Sequence, residues 1–389
     1  MLSSIIGYLL IRNRLCQYSA FSKLVFLLSL ELIIAIPLGV ILYHFYIGRM
    51  AWFIGGAVSG NVVLQFSHLL FHNPQPNHLS RKIGLVLVGI TTGFASIHGD
   101  LSKNIYTSIP IFVFLTVFLL LCSTAIGYIY SRLSKINILT AILATVPGGV
   151  GLMAAIAADY NRNVGLVTFT QTVRVTSVII LIPLLARVYS SSFLDLPIPQ
   201  NINYYSIQAD NLGLLGLLLI VAVICAYVAR LFKIPASDFF GPLLVAILFN
   251  TTLNSLPFVD YIEFTPPSFI QLISQLLLGI NIGEYWGHNF QFGRKNITYA
   301  FICVILTLSA GIVSSLLAMY LTSWDWLTCL LVTAPGGSAE IILVALGLNH
   351  NVDIITAGHL VRLIIINAFL PLWIFLFRCI DNYSGPRIN

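Results

Sequence analysis

Apolar residues in this chain do not alternate with polar ones. They run in long blocks, roughly 24–45, 51–71, 83–97, 108–130, 138–158, 164–188, 210–232, 235–253, 267–283, 296–320, 326–346 and 353–378. Most blocks match the ~20 residues that a helix needs to cross a bilayer. Six blocks precede a polar connection, SSSFLDLPIPQNINYYSIQADN at 190–211, and six follow it. The pattern therefore predicts an all-α polytopic membrane protein in two halves. Its expected divisions are a cytoplasmic or interfacial lead-in (1–23), a first membrane repeat (24–188), a linker (189–209), a second repeat (210–378) and a cytoplasmic tail (379–389).

The halves are copies. ATVPGGVGLMAAIAADYNRNVGLVTFTQTVRV at 144–175 aligns without gaps on VTAPGGSAEIILVALGLNHNVDIITAGHLVRL at 332–363. Thr145, Pro147, Gly148, Gly149, Ala157, Asn161, Asn163, Val164, Thr168, Val173 and Arg174 recur in the second block, as do the spacings between them. Upstream, Gly89-Ile90-Thr91-Thr92-Gly93 resembles Gly279-Ile280-Asn281-Ile282-Gly283. A gapless match with shared glycines, proline and arginine is the mark of duplication.

Loop charge sets the orientation of the copies. Arg81/Lys82 and Arg132/Lys135 follow the second and fourth blocks of half one, whereas half two has Asp260/Glu263 and Asp325 there. Half two instead places Arg230/Lys233 and Arg294/Lys295 after its first and third blocks. The basic side has swapped, so the halves are inverted, and each must cross the membrane an odd number of times. About five crossings per half follow if one block does not cross. The Pro-Gly-Gly block is the natural candidate, because those residues interrupt a helix. It either re-enters as a hairpin or crosses as a broken helix.

Composition agrees and removes other classes. Hydrophobic residues are 58% of the 389, charged residues only 8%, and the net charge is +6. An ordinary soluble domain is about 25% charged. Soluble enzymes, nucleic-acid-binding modules and disulfide scaffolds are thereby excluded, and the basic residues are spread over short loops with no block for a nucleic acid.

Arg174 lies ten residues into its block, ~15 Å deep at helical rise, and Arg362 sits at the matching place in the second half. A mid-membrane arginine is costly unless paired or facing water, so each marks a functional site or pairs with Glu340 or free carbonyls. The breaks at Gly148, Gly149, Gly336 and Gly337 would bare backbone amides, and a helix starting at Val150 or Ser338 would aim its positive end at an anion. Gln171 and His359 sit three residues before the arginines, near the same helix face. Thr91 and Asn281 are further polar candidates. Glu340 would bind a coupling H⁺ or Na⁺, or neutralise Arg362. His68 and His72 stand at i, i+4, but with His78 or His98 they form no regular ligand set, and no metal or other cofactor is expected. Gly56–Gly60, Gly89–Gly93 and Gly279–Gly283 are read as close helix-packing steps.

The doubled TxPGG…NxNV…VR pattern resembles the AbrB family of bacterial membrane proteins over about residues 25–378. The resemblance implies a multi-pass protein of the bacterial inner membrane with a duplicated unit, distantly like cation–proton antiporters and anion transporters. Members are often labelled ammonia monooxygenases, and others are described as regulators of gene expression. The residues favour a secondary transporter of a small organic-acid-like anion with a site at the membrane midplane. A membrane sensor that regulates expression without transport is the alternative, and a metal-dependent monooxygenase ranks third, so enzymatic activity is not expected. The expected partners are the small anion, the coupling H⁺ or Na⁺ and the lipid bilayer. Homo-oligomerisation is left open.

Overall fold

The computed structural model describes residues 2–44, 50–70, 76–97, 101–189, 209–232, 234, 236–255, 264–287 and 294–383. The linker expected at 189–209 lies almost wholly outside them, as do His72, His98, Asp260 and Glu263. Among the described residues there are fourteen helices and no strand. Seven come from each half, in matching order. The first set is α1 (Leu2–Leu42), α2 (Ala51–Leu70), α3 (His78–Ile97), α4 (Leu101–Ser134), α5 (Ile138–Thr145), α6 (Val150–Asp159) and α7 (Val164–Tyr189). The second is α8 (Ala209–Leu231), α9 (Ser237–Asn254), α10 (Ser268–Gly287), α11 (Arg294–Leu321), α12 (Trp326–Thr333), α13 (Ser338–Leu348) and α14 (Val352–Tyr383).

The protein is an all-α polytopic membrane protein. Among the described residues six segments are long and apolar enough to cross a bilayer: 22–42, 107–134, 164–186, 212–231, 295–321 and 352–381. They are the same three positions of each half, α1, α4 and α7 matched by α8, α11 and α14. The other long helices, α2, α3, α9 and α10, carry 18–20 residues each. They are long enough to span at 1.5 Å per residue but are diluted by glycine, serine, asparagine and glutamine.

The helices form two compact units. The first comprises residues 1–84 and 272–288, the second 85–271 and 289–389. In the first, α2 and α10 pack backbone to backbone. A Cβ added at Gly56, Gly60, Gly279 or Gly283 would stand 2.0–2.4 Å from a carbonyl oxygen of the facing helix, so nothing larger than glycine fits. In the second, Gly89 and Gly93 of α3 meet Phe239 and Leu243 of α9 in the same way. The glycine steps read from the sequence are therefore packing steps.

The Pro-Gly-Gly segments are re-entrant hairpins. Ile138 and Leu139, which open α5, donate their amides to Asp381 at 2.9 and 3.2 Å. Arg162, just past the end of α6, forms an ion pair with the same carboxylate at 3.3 Å. The first pair of short helices thus enters and leaves at one place. In the second pair, Asp325 caps α12 through the amides of Leu327 and Thr328. His350 Nε2 and Asn351 Nδ2, beyond the end of α13, reach the same aspartate at 2.8 and 3.2 Å.

These two mouths lie at opposite ends of α14. That helix starts at Val352, beside the second mouth, and carries Asp381 to the first. The 29 residues between span ~44 Å. The hairpins therefore enter from opposite sides, the inversion that the loop charges predict.

Candidate functional site

Each hairpin turns back at its Pro-Gly-Gly break, where two helix ends expose unpaired backbone groups. The local sequence accounts for the turn. Thr145 Oγ1 donates to Ser123 O of α4 at 3.0 Å, and Thr333 Oγ1 donates to Gly311 O of α11 at 3.2 Å. The two threonines are repeat equivalents, and so are their acceptors. Each pins the end of the entering helix to a scaffold helix. Gly149 takes φ +84°, a left-handed conformation that costs glycine little, and its missing Cβ faces open space.

The NxNV signature is also structural. Asn161 and Asn349 adopt left-handed φ of 52° just past α6 and α13. Behind them the amides of Arg162 and His350 return to Ala157 O and Ala345 O at 2.7 and 3.1 Å. This is a Schellman ending, and asparagine is the residue after glycine that best tolerates it. Asn163 then opens α7, its Oδ1 accepting from Leu166 N at 2.9 Å.

The two arginines close on the breaks. Arg174 is 1% exposed and donates to Thr145 O at 2.7 Å and to Gln171 Oε1 at 2.6 Å. Gln171 Nε2 in turn donates to Leu143 O and Val146 O at 2.7 and 2.9 Å. Arg362, 3% exposed, donates to Ala334 O at 2.7 Å and Gly336 O at 3.3 Å. Its Nη2 also lies 2.6 Å from His359 Nδ1, whose ring Nε2 is 3.0 Å from Leu331 O. A guanidinium only donates, so Nδ1 must accept. The imidazole is then neutral with its proton on Nε2, bonded to the carbonyl. Gln171 and His359 perform one task with different chemistry.

Hydrogen bonds from carbonyls satisfy donors without cancelling charge. Among the described residues no ion pair links Arg174 or Arg362 to a carboxylate. The two arginine centres adjoin, because Gly336, whose carbonyl accepts from Arg362, approaches Val178, one turn beyond Arg174 on α7. Glu340 does not neutralise Arg362. It sits in the first turn of α13, and its carboxylate fills the space beside Gly337. Gly148 is covered by Met153, and Gly336 approaches Val178 of α7 beneath Ile341. Ser338 is half-buried at the start of α13. Of the nine expected anion-site residues, Arg174, Arg362, Gln171 and His359 are tied to the breaks by hydrogen bonds, and the glycines and Ser338 form the breaks.

None of the hydrogen bonds described above joins the remaining candidates to the arginines. Thr91 Oγ1 is satisfied within its own helix by Leu87 O and Val88 O. Asn281 belongs to the first unit, on α10. His68 is partly buried and His78 exposed on the surface. Among the described residues no three His, Cys, Asp or Glu side chains converge on a metal position.

Residues 52–378 match the AbrB family, described as transition state regulatory protein AbrB. The chain belongs to the AbrB family. Two relatives share its length. The protein YhjN of Bacillus subtilis (strain 168) is 26% identical over 326 residues, 81% of this chain and 83% of its own. A candidate regulator named AbrB, from Escherichia coli (strain K12), is 26% identical over 301 residues, 74% of this chain and 79% of its own. The matched region of this AbrB-family chain includes both hairpins and both arginines.

Sequence reading missed three parts of this centre. The threonine anchors stood in the repeat alignment without an assigned role. Asp325 and Asp381 gave no signal as hairpin staples. Glu31 and Glu284, buried acids in the first unit, went unnoticed; an acid in the middle of the 24–45 apolar block was the available clue.

Proposed function

We propose that this AbrB-family protein is a secondary transporter of a small organic anion in the bacterial inner membrane, with Arg174 and Arg362 as the anion's counter-charges. One observation carries the reading. Two arginines are buried at the tips of two re-entrant hairpins that enter from opposite sides, and among the described residues neither has a carboxylate partner. An uncompensated charge in a low-dielectric interior costs several kcal/mol, and a bound carboxylate would offset it. A guanidinium can hold such a group through two parallel bonds. Opposed hairpins give each face of the membrane its own access to one centre.

The test is uptake of radiolabelled acetate, lactate and succinate into proteoliposomes. Saturable uptake of one of them is expected in wild type, with flux falling to background in Arg174→Ala and Arg362→Ala. Arg362→Lys retains the charge without the fork and should lose about tenfold or more, the value of one charge-assisted bond. Unchanged flux in both folded alanine variants would make the arginines structural and end the anion reading. A second reading draws on the name of the Escherichia coli relative, a regulator. In a sensor that moves nothing, these probes would bind and shift thermal stability without uptake.

A further inference from the structure

The first helical unit contains a second buried ionisable centre, built only from its own residues. Glu31 lies in the middle of the apolar segment 22–42 of α1 and is 1% exposed. Glu284, near the end of α10, is 2% exposed. Ala35, one turn beyond Glu31, packs with Ile280, one turn before Glu284, so the contact of α1 with α10 brings the two carboxyl groups to neighbouring positions. Both Glu284 oxygens accept from the Asn77 amide at 3.0 Å. Asn77 is fixed in turn by its Nδ2 on Leu24 O at 3.1 Å. Ser59 of α2 donates to the backbone oxygen of Glu31 at 2.6 Å, holding α1 in register.

Two features of this pair are unexplained by packing. Glu31 Oε2 is buried with no donor, and Asn281, 5% exposed and one turn before Glu284, has an Nδ2 without a well-formed hydrogen bond. Nor does a cation offset the acids: among the described residues no salt bridge reaches either one. Among the described side chains the basic groups on or beside these helices are Lys23 on α1, His44 just past it, His68 on α2, and His78, Arg81 and Lys82 at the start of α3. Among the described residues none of them forms an ion pair with either glutamate.

We propose that Glu31 and Glu284 form a proton-binding site that holds one proton between the two carboxyls. Two adjacent carboxylates in a dry interior cannot both remain ionised at tolerable cost. One shared proton supplies the missing donor, removes one charge, and leaves the second spread over a dyad already receiving the Asn77 amide. A shared proton gives the buried Glu31 Oε2 the partner it otherwise lacks. A Na⁺ ion would need five or six oxygens around it, and the dyad presents only its own four, two of them already engaged. The site stands on its own geometry and does not depend on what the arginine centre carries. It displaces Glu340, which lines a helix start, as the membrane carboxyl suited to proton exchange.

Infrared difference spectroscopy of the full chain in lipid vesicles tests this. In neutral, Na⁺-free buffer the wild type should show the C=O stretch of a protonated carboxyl, shifting in D₂O. Glu31→Gln should lose that band while keeping the wild-type amide I envelope, since a glutamine amide can donate to Glu284 in place of the proton. Should Glu31→Gln fail to insert, Glu284→Gln reads the same band from the other partner. A band of equal size in the folded variant would overturn the assignment. So would a wild-type band abolished by Na⁺ at constant pH, which would mark a metal-cation site instead.

Discussion

The two hairpins have a common origin and nearly the same backbone, yet they are held by different means. Hairpin two is closed from within: Asp325 caps α12 and gathers His350 and Asn351 from the far end of α13. Hairpin one has Asn137 at the equivalent place, and that side chain makes no capping bond. Its closure comes from Asp381, 243 residues from Ile138 and at the far end of the other half's last helix. Around the breaks the same division recurs, with Gln171 answering to His359 and Leu152 to Glu340. Duplication preserved the backbone requirement and left the side chain that meets it free to change. Because one staple is borrowed, hairpin one reports on the position of α14, whereas hairpin two is self-contained.

The largest effect tests the opposed mouths themselves, and it is all or none. In a cysteine-free background, Asp159→Cys at the first mouth and Ser323→Cys at the second should react with a membrane-impermeant maleimide from opposite faces of intact cells. Both positions are exposed. Labelling of both from one side would break the inversion and with it the comparison.

Next in size is the borrowed staple. Asp381→Ala leaves two amides and the Arg162 guanidinium without their acceptor. The expected cost is ~2–4 kcal/mol, one charged capping interaction plus unsatisfied buried donors. Asn137→Asp should recover part of it by installing in hairpin one the cap that hairpin two already has. Thermal unfolding of the single and double variants measures both. A double variant no more stable than Asp381→Ala would show that the two mouths are not interchangeable.

A smaller asymmetry is expected at the arginine partners. His359→Gln should be almost neutral, because a glutamine already does this work in the first repeat. Gln171→His should cost ~1 kcal/mol, because imidazole has one N–H to donate and Gln171 serves two carbonyls. Equal costs in thermal unfolding would mean that the partners are not equivalent in role.

Much of this was legible in the sequence, and the reason is physical. Pro-Gly-Gly breaks a helix in any context, a mid-membrane arginine needs a partner in any context, and a gapless repeat transfers both to the second half. Hairpin versus broken crossing was not legible, since both have the same apolar profile. What decides it is Asp381, which reads as an ordinary polar residue in a helix end until the fold brings it to Ile138. Asp325 was equally silent, counted as loop charge. Glu31 was visible as an acid inside an apolar block, but its meaning depends on Glu284, which sits in a polar-looking GEYWG segment over 250 residues away.

The smallest expected effect is a pH dependence at the second mouth. Burial alone would push the Asp325 carboxyl up. Hydrogen bonds from Thr328 and His350, and the His350 charge, outweigh burial and hold the carboxyl below the ordinary aspartate range. The group is thus more acidic folded than unfolded. Its contribution is fully present above the ordinary aspartate range and is lost as pH falls through the lowered folded value. Asp325 is nearly half exposed at its side chain, so solvent screening limits the gain to ~0.2–1 kcal/mol. Melting curves of wild type and Asp325→Asn should therefore run apart at neutral pH and converge in acid. Coincident curves already at neutral pH would assign the stabilisation to the capping geometry, which asparagine also supplies, and remove charge from the account of why the two mouths differ.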